Sequence, residues 1–168
     1  MGNDMSRLIH YSDKHLIEVY SVPLAEQSSH RGGLHKPRGL WVSVEGENDW
    51  KEWCEGERFG CLDCATEIIL AADANVLWLV GSTELDQFHA EYSVVAYRYG
   101  GNLGVRTAIE WPRVAGKYQG IIIAPYVYAR RLEEPVSDWY YGWDCASGCI
   151  WDAAVVAKVR PIPEAVAA

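Results

Sequence analysis

The chain has 168 residues, enough for one domain with a sizeable core and too few for two comfortable ones. A formal charge of −8 argues against a broad phosphate-binding surface, although His30-Arg31, His35-Lys36-Pro37-Arg38 and Arg130-Arg131 leave local basic patches. No apolar run reaches the about eighteen residues a membrane span needs and no secretory leader is visible, so a cytoplasmic location is expected. Five cysteines, an odd number, fit a reducing compartment rather than a disulfide framework.

In chain order, Leu8-Ile9-His10-Tyr11-Ser12 is a first extended piece, and residues 16–22 form a second, stopped by Pro23. Residues 24–38, with Ser28-Ser29, Gly32-Gly33 and Pro37, read as a mobile polar loop able to cover a cleft. A strand follows over 39–44. Asn48 is placed to cap a helix whose apolar side is Trp50, Trp53 and Cys54. Residues 66–71 and 76–80 are strands about a turn at Asp73-Ala74-Asn75. Thr83-Glu84-Leu85-Asp86 matches a capping box for a helix with Leu85, Phe88 and Tyr92 on one stripe. The glycines at 100, 101 and 104 make 97–107 a loop. Pro112 opens a third short helix, Ile121-Ile122-Ile123-Ala124 is a continuously apolar strand, and a last strand lies near 149–156 before an extended tail over 160–168. Strands interrupted by short helices, without regular βα alternation, predict a single α+β domain with its core over about 8–159.

The densest chemistry lies at 139–152, where tryptophans, tyrosines, thiols and carboxylates alternate with Gly142, Ala146, Ser147 and Gly148. Small residues between large rings leave room for something flat, so the stretch reads as a pocket wall. Gly-rich nucleotide motifs, Gly-x-Ser-x-Gly and His-Glu-x-x-His are absent, so any chemistry must come from dispersed residues. Cys61-Leu62-Asp63-Cys64 has C-x-x-C spacing without a matching second pair; a zinc-stabilised interaction domain is one reading of it, and free thiols are the default. No metal is expected.

The order of these pieces resembles a family. Leu8-Ile9-His10-Tyr11-Ser12 looks like the first-strand histidine motif of the ADP-ribosyltransferase fold, in its poly(ADP-ribose) polymerase and diphtheria-toxin-like branch. Arg38-Gly39-Leu40-Trp41-Val42-Ser43 is similar to the second motif, and Trp50 and Trp53 fall where that branch carries a second ring. Ser147-Gly148-Cys149-Ile150-Trp151-Asp152 looks like the closing motif. The resemblance covers most of 8–159. It implies split, mostly antiparallel sheets around an NAD cleft, and transfer of ADP-ribose from NAD to a macromolecular acceptor with release of nicotinamide. By the same analogy, a chain this compact would be a bacterial or phage effector or toxin.

The roles implied by the resemblance follow position by position. His10 would bond a ribose hydroxyl, with the backbone at Tyr11 and Ser12 fixing the nicotinamide amide. Ser43 would stand with His10 on the ribose side, Gly39 and Trp41 would belong to the second motif, with Trp41 in the place of its Tyr, and Trp41 with Trp50 or Trp53 would surround the nicotinamide. Where the family's closing motif begins with glutamate, this chain has Ser147; Asp144 is the nearest alternative carboxylate. Either Asp144 supplies the anion, or the acceptor assists, or catalysis is weak or lost. In the last case the chain is a silent member of the fold that binds a protein partner or nucleotide. Plainer readings stand beside these: His10 as a satisfied, partly buried histidine, the tryptophans as core, Ser43 bonded to backbone, and Asp144 paired with Arg130 or Arg131.

Overall fold

The computed structural model describes residues 6–27, 36–98 and 105–163. Leu8 and Ile9 are buried and start β1 (Leu8–Ser12), which pairs along its whole length with β3 (Cys64–Leu70). β2 (Leu40–Val44) lies on the other side of β1, followed outward by β8 (Ser147–Ile150), β7 (Gly120–Ile123) and β4 (Val76–Leu79). With β9 (Val156–Ile162) outside β3, the sheet runs β4-β7-β8-β2-β1-β3-β9. Its β4–β7 pair is parallel and its other pairs are antiparallel.

Both faces of this sheet are covered at its centre, which explains the unbroken apolar run of β7. Ile121 and Ile123 enter a cluster with Leu85, Phe88, Trp111 and Trp139, while Ile122 faces Val42, Ile68 and Ile150 on the opposite side. The first cluster is roofed by α2 (Ser82–Tyr92), α3 (Trp111–Ala115) and α5 (Ser137–Tyr140). A separate hairpin, β5 (Ser93–Arg98) and β6 (Val105–Ile109), follows α2. Asp138 of α5 ties it down by accepting from the Thr107 backbone N–H at 2.7 Å and from Arg106 at 2.6 Å. The molecule is thus a single α+β domain with a mostly antiparallel seven-stranded sheet and short helices, as composition and spacing predict.

Several expectations are corrected. The main sheet is continuous rather than split in two, because β1 and β2 remain joined by a short ladder, and only the β5–β6 hairpin stands apart from it. Residues 16–22 form no strand: Leu16 N–H donates to the Thr66 hydroxyl and Val22 N–H to the Trp151 carbonyl, leaving the segment draped across the sheet rather than paired into it. A tight helical turn, Leu24–Glu26, follows, and 28–35 of the predicted loop lies outside the described residues. Asp49, not Asn48, caps α1 (Trp50–Glu57), its carboxylate accepting from Glu52 N–H. Gly81, not Thr83, precedes α2, and no side chain caps it. The expected loop at 97–107 contains parts of both hairpin strands. The predicted last strand is two: β8 ends at Ile150, and β9 carries the chain through Pro161, where a tail was expected. Two short helices, α4 (Tyr128–Arg131) and α5, were not anticipated.

The aromatic stretch is corrected too. Trp139, Tyr140, Trp143 and Trp151 are core residues, and the three indole N–H groups all find acceptors: His89 Nδ1, the Ser147 carbonyl and the Tyr118 carbonyl. Gly148 makes room for backbone rather than for a ligand. It sits between Val42 and Ile122, where a Cβ would lie 2.5 Å from the Ile121 carbonyl oxygen. Gly148→Ala is therefore expected to destabilise the fold by about 1–3 kcal/mol in chemical denaturation, through overpacking. A change near zero would mean that β7 and β8 can slide apart at no cost.

His89 makes stability pH-dependent. Trp139 donates to its Nδ1 at 3.1 Å, so the ring is held neutral as an acceptor. Burial holds its pKa below the ordinary histidine value, against the opposing pull of Asp138 and Asp86. The unfolded chain thus takes up the proton first, and the stabilisation, complete above about pH 6.5, is lost as pH falls. His89→Asn keeps an acceptor but cannot titrate. Between about pH 7 and about pH 5 the wild type should lose more thermal stability than this variant. Equal losses would remove His89 as the cause.

Candidate functional site

β1 and β2 pair only at Leu8–Val44 and Ile9–Ser43 and then part. The Trp41 carbonyl, which faces the gap, accepts the His10 Nδ1–H at 2.8 Å, replacing the missing ladder bond. Because a carbonyl only accepts, Nδ1 carries a proton, and Nε2 is the ring nitrogen that this bond leaves free. The gap is a cavity of about 310 Å³. That is the lower end of the roughly 300–1,000 Å³ range of small-molecule sites. It has room for a planar ring and a sugar rather than a whole dinucleotide.

Its walls come from distant parts of the chain. His10 and Tyr11 belong to β1, Trp41 and Ser43 to β2, Trp50 to α1, and Asp144, Cys145 and Ser147 to the approach into β8. Trp41 is held edge-on against buried Trp143, with centroids 4.9 Å apart. Trp50 stacks on Trp53 at 5.0 Å, and both rings meet Phe59 at steep angles. Ser43, buried, accepts the Trp50 N–H at 2.9 Å and so fixes the start of α1 against β2. Burial and the nearby Asp49 carboxylate raise the Tyr11 pKa, keeping its phenol protonated as a donor.

The anionic side of the site is muted. The Ser147 hydroxyl is buried and donates to the Cys145 carbonyl at 3.0 Å. Asp144 lines the cavity, and Arg131 holds its carboxylate at 3.2 Å. The pair forms part of the wall of a second cavity of about 220 Å³, which also exposes Trp53, Tyr126 and Tyr128. Of the predicted site residues, His10, Tyr11, Trp41, Ser43, Trp50, Asp144 and Ser147 come together. Ser12, Gly39 and Trp53 do not line the same cavity. The Ser12 hydroxyl donates to the Lys14 carbonyl in the turn after β1, Gly39 lets β2 lie close to Ile150, and Trp53 backs Trp50 from outside.

Lys36 is the residue that sequence reasoning missed. It appeared only as part of a basic patch, yet it lines the cavity with its ammonium 5.1 Å from the Trp41 ring centroid. Its position just ahead of β2 was the available signal.

The thiols offer no nucleophile here. Burial pushes the Cys145 pKa up to about 11 and that of Cys149 higher still. Among the described residues no group of three or more His, Cys, Asp or Glu is placed to hold a metal ion, and Cys61 and Cys64 are free. Alkylation of the native protein with iodoacetamide should modify Cys61 and Cys64 and spare Cys54, Cys145 and Cys149, read by peptide mass mapping. Rapid labelling of Cys145 would contradict its burial.

No protein-family model, curated protein or solved structure matches the chain. Among the described residues no helix is long and apolar enough to cross a membrane.

Proposed function

We propose that the cavity between β1 and β2 receives NAD and that the chain transfers its ADP-ribose to a macromolecular acceptor, releasing nicotinamide. One observation carries this reading. Residues from three separate motifs, His10 and Tyr11 from the first, Trp41 and Ser43 from the second and Ser147 from the third, line one cavity on the adjacent strands β1, β2 and β8. Nothing in the needs of a stable sheet asks that order of motifs to converge.

The residues present fit the ligand's ring and sugar. Trp41 and Trp50 offer faces and edges to a planar ring, and His10 Nε2, not engaged by the Trp41 carbonyl, is the ring nitrogen left for a ribose hydroxyl. Breaking the nicotinamide–ribose bond passes through an oxocarbenium-like sugar, which a nearby carboxylate stabilises. Asp144 is the carboxylate that faces the cavity, so it takes that role in this reading. Its pairing with Arg131 dilutes its charge.

That pairing, with the buried Ser147 hydroxyl, favours a second reading: a silent protein that binds the nucleotide, or a protein partner, without turnover. Labelled-NAD turnover, with and without a cell lysate, distinguishes them. The transferase reading expects label on an acceptor and free nicotinamide. It also expects a fall of about a hundredfold or more in Asp144→Ala and in Asp144→Asn, the latter keeping a bond to Arg131. NAD binding by the wild type without nicotinamide release establishes the silent reading. Neither turnover nor NAD binding overturns the transferase and nucleotide-binding readings and leaves only the binding of a protein partner.

A further inference from the structure

The charge inside the cavity is of the wrong sign for a cationic ring. Asp144, the carboxylate on its wall, is taken by Arg131. Among the described residues Lys36 is the one lysine or arginine on that wall, and it forms no ion pair with a carboxylate of those residues. Its ammonium instead sits over the Trp41 ring at 5.1 Å, inside the about 6 Å range of a cation–π contact. The same positive charge acts on the thiols of Cys145 and Cys149 at the back of the site.

A pyridinium ring and an ammonium compete for the same aromatic face and repel each other. A phosphate at the cavity mouth attracts the ammonium, and the flexible four-carbon stem of lysine lets it move. We infer that Lys36 selects the ligand: its ammonium keeps cationic rings off Trp41 unless the same molecule brings an anionic group to draw it away. This rests on the reading of the cavity as a dinucleotide site, and deepens it by naming the chemical combination admitted, a cationic ring joined to phosphates. A free pyridinium is refused. Nicotinamide, neutral once its bond to ribose is broken, leaves Lys36 free to return to Trp41.

The test uses two probes that split the ligand. The first, 1-methylnicotinamide, carries the cationic ring without phosphate; the second, ADP-ribose, carries the phosphates without the ring. Both are titrated into the whole chain by calorimetry, with tryptophan fluorescence as a second readout. Wild type should bind ADP-ribose and bind 1-methylnicotinamide poorly. Lys36→Met should bind 1-methylnicotinamide about tenfold more tightly and ADP-ribose about tenfold more weakly, and Lys36→Arg should keep the wild-type order. Unchanged affinities in Lys36→Met, with ADP-ribose still bound, would overturn the selecting role and leave the dinucleotide site standing. If neither probe binds any of the three proteins, the selecting role and the dinucleotide reading fall together.

Discussion

The early end of the β1–β2 ladder governs this molecule. Two residue pairs hold the strands together, and beyond them a backbone carbonyl faces a gap. A buried or half-buried carbonyl must find a donor, and the His10 imidazole supplies it. The same bond that repairs the sheet fixes the tautomer of the histidine and its outward-facing nitrogen. Structural satisfaction and chemical readiness are therefore one interaction at this position, not rivals.

Around that gap the fold assigns its polar groups sparingly. Ser43 is committed to the first turn of α1, Ser147 to a neighbouring carbonyl, and Asp49 to two backbone N–H groups as the helix cap. What remains for a ligand is His10 Nε2, the Tyr11 phenol, two indole rings and an ammonium. Hydrophobic walls with a few convergent polar groups are the usual make-up of a small-molecule site. The ion pairing of Asp144 is the feature that sets this cavity apart from one built only to stabilise positive charge.

Much of the sheet was legible because its strands carry their own signals. β1, β2, β3 and β4 lie close to the runs that hydrophobicity and turn residues mark, and β7 is apolar because both its faces are covered. Pairing is not a local property, so residues 16–22 resemble a strand yet join none, and β9 was hidden behind Pro161. Gly100, Gly101 and Gly104 made 97–107 read as a loop, which concealed that β5 reaches Arg98 and β6 begins at Val105. The site was legible where side chains fell on the motif strands. It was misjudged where size alone was used: tryptophans in the 139–151 stretch were read as a wall, and their burial, with acceptors for their N–H groups at His89, Ser147 and Tyr118, makes them core.

Strand order has a consequence for the making of the protein. β2 finds its second neighbour, β8, only near the other end of the chain, while β9 returns to cover the far edge of β3. Contacts between such distant segments form late, because long loops must close before they are rewarded. A chain still emerging from the ribosome holds His10, Trp41 and Trp50 without the strand that completes their enclosure. The wall that Asp144, Cys145 and Ser147 supply is therefore missing from a chain synthesised only as far as β7.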